Sequence, residues 1–176
     1  MFERSHSILL HLTRWSAWLG MLFLLGAMLV TTADVVLRKI NGRGIFGTVD
    51  IVQMMIMGAA YLSIPYGFLT RSHVSVSVIV DMFDRRATAL TNLLAAILGL
   101  AFMGAIAWLG LGQAIMQAEY GDISLTLGIP ITYYWALLLF GSGLSALVCL
   151  HMSLEALMIV ITGRTRFTPT TMKRED

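Results

Sequence analysis

Residues 87–118 read ATALTNLLAAILGLAFMGAIAWLGLGQAIMQA, and none of these 32 residues is Asp, Glu, Lys or Arg. A helix rises about 1.5 Å per residue, so about 20 apolar residues cross the ~30 Å hydrocarbon core of a bilayer. Three more charge-free runs flank this one: Trp15–Ala33, Ile51–Thr70 and Ile123–Leu154, of 19, 20 and 32 residues. Each is long enough to span. The chain therefore reads as an all-α integral membrane protein, a four-helix bundle with very little outside the bilayer.

The composition agrees. Of 176 residues, 57% are hydrophobic and only 12% charged, where a soluble domain carries roughly 25% charge. A net charge of +2, with basic residues scattered over loops, excludes a nucleic-acid footprint. The single cysteine, Cys149, falls in the fourth run and has no second thiol for a disulfide or a metal site. It reads as a small core residue. Arg4 and Arg14 before an apolar run resemble a signal peptide, but 19 residues exceed the roughly 7–15 of a signal core. The run is expected to be a retained anchor helix.

Loop charge sets an expected topology. Arg4, Arg14, Arg71, Arg85, Arg86, Arg164, Arg166, Lys173 and Arg174 fall on one side, and only Arg38, Lys39 and Arg43 on the other. The positive-inside rule puts both termini in the cytoplasm. The loop with Glu119 and Asp122 then lies outside, although three cations in the first outer loop run against the rule. Trp15 and Trp18 would mark the inner interface, and Tyr120, Tyr133, Tyr134 and Trp135 the outer one.

The expected layout is a cytoplasmic N-terminus (1–14), a membrane domain (15–162) and a cytoplasmic tail (163–176). Spans are expected over about 15–37, 49–69, 88–117 and 131–162. Gly42, Gly44 and Gly47 mark the first turn, and Pro65 should loosen the end of helix two. Within 70–86, Val74, Val76, Val78 and Val80 alternate as in a strand. Yet Val76, Ile79, Val80 and Phe83 also follow helical spacing. An isolated strand at a bilayer leaves backbone groups unpaired, so a short amphipathic interfacial helix is the better reading. Small residues recur four apart at Ala59/Ser63, Ala95/Gly99, Ala101/Ala105 and Gly141/Ser145, a spacing that lets helices approach closely.

Transport or redox chemistry in a membrane needs ionisable groups at depth, where each is costly. Here Asp34 and Asp50 stand near the outer ends of their spans, and Glu155 near an inner end. No nucleophile–base constellation, phosphate loop or metal-ligand cluster is present, so no catalytic residue, metal or cofactor is expected. Two histidines at one depth could ligate haem, and His11 with His151 is the nearest match, but His151 and Glu155 also stand one turn apart. Asp34 and Arg38, four apart with the acid first, can pair. They serve either as a helix-end ion pair or as a fixed contact to a partner. Asp50 is likewise either a first-turn acid suited to the helix dipole or an interface residue.

With these residues in place, the chain resembles the small membrane subunit of a TRAP transporter, the DctQ-like family. The matching positions are Asp34-Val35-Val36-Leu37-Arg38 closing helix one and Asp50 opening helix two. Arg71-Ser72-His73-Val74 follows helix two, and Ile129-Pro130-Ile131-Thr132-Tyr133-Tyr134-Trp135 opens helix four. The family commonly carries Glu where Asp50 stands, and an acid soon after the His-Val pair where this chain has Ser75 and Ser77. The resemblance covers about residues 10–162.

The resemblance implies a bacterial inner-membrane complex that imports an organic anion, a carboxylate or sugar acid, with sodium. A periplasmic substrate-binding protein delivers the anion, and a large membrane subunit holds the substrate and sodium sites. The small subunit is the scaffold, packed among membrane lipids. Asp34, Arg38, Asp50, Arg71, His73, Tyr133 and Trp135 are the expected partner-facing residues. The competing readings are a self-sufficient four-helix carrier acting as a homodimer, which would need a mid-membrane acid, and a haem or quinone anchor.

Overall fold

The computed structural model describes residues 2–70 and 85–162. Four helices make up almost all of it: α1 (Phe2–Asn41), α2 (Thr48–Leu69), α3 (Arg85–Tyr120) and α4 (Thr132–Thr162). All four are long and apolar enough to cross a membrane. The protein is an all-α, multi-pass membrane bundle. The interfacial helix expected over 70–86 falls largely outside the described residues. Thr70 caps α2, and Arg85 and Arg86 already belong to α3.

Helix lengths differ. With 22 residues, α2 is about 33 Å long and matches the hydrocarbon core. With 40 residues, α1 is about 60 Å long and must extend beyond it. The helix begins at Phe2, well before the charge-free run that marks its span. Contacts fix the register. The Ser16 hydroxyl donates to the Leu62 carbonyl (2.7 Å), which brings the first two turns of α1 past the end of α2. There the His6 ring lies 5.8 Å from the ring of His151 on α4.

Three extensive interfaces hold the bundle: α1 with α2, α2 with α4, and α4 with α3. The spatial order is thus α1–α2–α4–α3, an open bundle laid out as a row. Among the described residues, no interface of similar extent joins α1 to α3. The seams are lined by small residues, as membrane packing without a hydrophobic driving force requires. On α1 the buried positions include Thr13, Ser16, Ala17, Gly20, Ala27 and Asp34. On α4 they include Ser142, Leu144, Ser145, Val148 and Cys149. The outward faces of α1 and α3 carry large exposed side chains such as Leu22, Leu29, Phe102 and Trp108.

A close backbone approach joins α2 to α4. Pro65 sits inside α2, fully buried, and the helix runs on to Leu69. Proline has no N–H, so the Tyr61 carbonyl four residues earlier loses its helical donor. That carbonyl faces α4 at Gly141, where a Cβ would collide with backbone atoms of Tyr61.

Candidate functional site

Both short connections, residues 42–47 and 121–131, lie at one end of the row. Two buried aspartates organise that end. Asp34 is in the last two turns of α1, where the chain must leave the helix for the glycine-rich turn. Its Oδ1 accepts the Ile45 backbone N–H (2.6 Å) and the Thr48 hydroxyl (3.0 Å). Its Oδ2 accepts Arg38 Nη2 at 2.8 Å. The carboxylate therefore closes the α1–α2 turn over its whole length. Gly44 lies against this group, since a Cβ there would meet Asp34 and Arg38.

Asp50 does the same for the second connection. Its carboxylate sits in the first turn of α2, at the end of the helix that favours negative charge. Asp50 Oδ2 accepts the Ser124 hydroxyl (2.7 Å), the Thr126 N–H (3.0 Å) and the Leu127 N–H (2.7 Å). Three donors on one ionised oxygen make a strong, directional anchor. The segment it holds is a small hairpin. Ile123 pairs antiparallel with Pro130, Ser124 N–H donates to the Ile129 carbonyl (2.8 Å), and Gly128 turns with φ of +68°. The hairpin is thereby folded over the start of α2.

The two connections also touch. Gly47, with φ of +79°, lies against the Leu127 side chain, so any Cβ there would meet both a strained backbone and a clash. Tyr134, buried at the start of α4, donates its hydroxyl to the Asp50 carbonyl (2.9 Å). Trp135 Nε1 donates to Gln117 Oε1 at 2.5 Å and ties α4 to α3. One network thus runs from α1 through both turns to α3.

Of the residues singled out from the sequence, Asp34, Arg38, Asp50 and Trp135 enter this network, while Tyr133 beside it is exposed. Arg71 and His73 lie outside the described residues. Sequence reasoning missed Thr48, Ser124, Thr126 and Leu127. The only signals were the glycines at 47 and 128, which mark tight turns. His11 is exposed and its Nδ1 bonds the Ser7 carbonyl of its own helix (2.9 Å). His151 lies against His6 rather than His11. Among the described residues no cluster of His, Cys, Asp and Glu could hold a metal. The arrangement can fix backbone and shape a surface, and it offers no residue set for bond-making chemistry.

Residues 27–158 match the family described as the DctQ component of tripartite ATP-independent periplasmic transporters. The chain belongs to that family. The match begins within α1 and ends within α4, and so includes both aspartates and the hairpin. No curated protein and no solved structure gives a match. DctQ proteins are the small membrane component of these transporters and work with a large membrane subunit and a binding protein. DctQ is a transporter component and not a known enzyme family.

Proposed function

We propose that this chain is the scaffold subunit of a sodium-coupled TRAP transporter that imports an organic anion, a carboxylate or sugar acid. It resides in a bacterial inner membrane with both termini in the cytoplasm. The large membrane subunit and a periplasmic substrate-binding protein are its partners.

The observation that carries this reading is the placement of charge. Asp34 and Asp50 stand at one end of the row, and their carboxylates are spent on the chain's own turns. Between the ends, the spans carry no Asp, Glu, Lys or Arg. A chain that moved an ion or an anion by itself would need such groups in the membrane. A chain that steadies another subunit needs rigid ends and apolar flanks. In this reading Asp34, Asp50 and Trp135 shape the extracytoplasmic end, while Arg38, Tyr133, Arg71 and His73 are contact residues.

The test is to tag the chain in native membranes, purify it gently and identify what accompanies it by mass. A large multi-helix membrane protein in fixed ratio is the expected result. Recovery of this chain alone as a stable homo-oligomer would overturn the reading. Reconstituted with both partners, the complex should take up its anion only when a sodium gradient is imposed.

A further inference from the structure

We propose that the outward stripe Ser7–His11–Arg14–Trp18 of α1 binds the headgroup of an anionic phospholipid of the phosphatidylglycerol class. The proposal rests on the membrane bundle alone and not on the partners named above.

The stripe follows from helix geometry. At about 100° per residue, spacings of four, three and four keep these residues within about 60° of one another. All four are exposed. The packed side of the same stretch is opposite, with Thr13, Ser16, Ala17 and Gly20 buried. Leu22, Leu25 and Leu29 continue the stripe toward the membrane interior, and each is more than half exposed.

The level of Arg14 sets it apart. Ser16 meets Leu62, and Gly20 lies against Ala59 and Ser63. The two helices therefore run antiparallel, and Arg14 is level with about Ile64 of α2. That is about 7 Å short of Leu69, where α2 ends. Arg14 is the only Asp, Glu, Lys or Arg between residues 5 and 33. Among the described residues no carboxylate pairs with it. A lone arginine at this level of a bilayer is costly unless its long stem carries the guanidinium out to a counter-charge. On the lipid-facing side of a helix, that counter-charge is a phosphate, which a guanidinium holds through two parallel hydrogen bonds.

The neighbouring residues fit the rest of such a lipid. His11 Nδ1 donates to the Ser7 carbonyl (2.9 Å), so Nε2 of the neutral ring is an acceptor. A headgroup with hydroxyl donors, as in phosphatidylglycerol, suits it. Polar Ser7 and His11 and apolar Ile8, Leu12 and Trp15 line a groove of about 360 Å³. Trp15 and Trp18, 71% and 57% exposed, are of the type that sits at headgroup level. The leucines beyond Trp18 give an acyl chain a track that a free phosphate would not use. One uncompensated cation favours a lipid of net negative charge over a zwitterionic one by about fivefold.

The experiment reconstitutes the full chain in phosphatidylcholine vesicles in which about one lipid in five is phosphatidylglycerol. Trp108→Phe removes the exposed tryptophan of α3, and Trp135, at the other end of the bundle, adds the same background throughout. Bromine is carried on the acyl chains of one lipid or the other, and quenching of Trp15 and Trp18 reports which lipid lies against them. Mole for mole, brominated phosphatidylglycerol should quench as if enriched about fivefold at these residues. Arg14→Gln should bring the enrichment below about twofold, and Arg14→Lys, which keeps the charge, should retain most of it. Equal quenching by the two lipids in the parent, or an unchanged preference in Arg14→Gln, overturns the proposal. Quenching by neither lipid would mean that a protein surface, a second copy included, covers the stripe, and overturns it as well.

Discussion

Gly141 of α4 lies against the Tyr61 carbonyl of α2, the oxygen that Pro65 deprives of its helical partner. The contact is made by backbone on both sides, so neither helix can yield by rotating a side chain. Gly141→Ala should push the central pair of helices apart and destabilise the protein by about 1–3 kcal/mol, the usual range for overpacking. Gly143, two residues on, meets nothing within 4 Å. Gly143→Ala should be neutral or slightly stabilising, because Ala is the better helix former. Thermal unfolding of the two variants in one detergent checks both. Equal melting temperatures would refute the account.

Asp50 and the hairpin yield a prediction about exchange. Asp50→Ala removes the acceptor of two backbone N–H groups and one hydroxyl. The amides of Thr126 and Leu127 should then exchange with solvent at least about tenfold faster, since local protection follows the local opening equilibrium. Asp50→Asn keeps an acceptor without the charge and should fall between. Ser124→Ala loses one donor and leaves both amide bonds in place, so its effect should be the smallest. Hydrogen exchange followed by mass spectrometry ranks the three. The ranking fails if Ser124→Ala matches Asp50→Ala.

The Asp34–Arg38 pair is unequal. Arg38 is two-thirds exposed, whereas Asp34 is buried and also holds Ile45 and Thr48. Exposed ion-pair partners contribute little, and a buried acceptor of backbone donors contributes more. Asp34→Ala should lower the yield of folded protein and of any assembled complex clearly more than Arg38→Ala does. Size-exclusion profiles of the two variants, purified side by side, decide it. Comparable losses in both would mean that the arginine meets a partner directly.

Trp135 and Gln117 offer a test of hydrogen-bond asymmetry. Trp135→Phe keeps the ring but leaves the Gln117 carbonyl without its donor, at a cost of about 1 kcal/mol. Adding Gln117→Leu removes the stranded acceptor. The double variant should recover part of the lost melting temperature. A double variant less stable than Trp135→Phe would show that the bond is not what couples α3 to α4.

Much of the fold was legible because bilayers impose a simple rule. Runs without charge had to span, and four runs gave four helices. The start of α1 was not legible. Charge counting finds where lipid begins, while a helix continues into water wherever its residues permit, here to Phe2. The Asp34–Arg38 pair was readable because i and i+4 share a helix face. The partners of Asp50 were not. They lie 74 to 77 residues away, and two of the three donate through the backbone, which every non-proline residue can do. Small-residue spacing was an equally mixed guide. Gly141 and Ser145 are buried in a seam, while Ala101 and Ala105, with the same spacing, are exposed.

The order α1–α2–α4–α3 makes this chain a fence one helix thick. Among the described residues, four rods in single file enclose no lumen between them. Each rod presents two broad sides, and a neighbour pressed against one side leaves the other in contact with lipid. The smallness of the seam residues then has a second meaning. Along those three lines and at the two turns, side-chain size is constrained from within, while on the outward faces of the helices the choice of residue is left to whatever stands beside the fence.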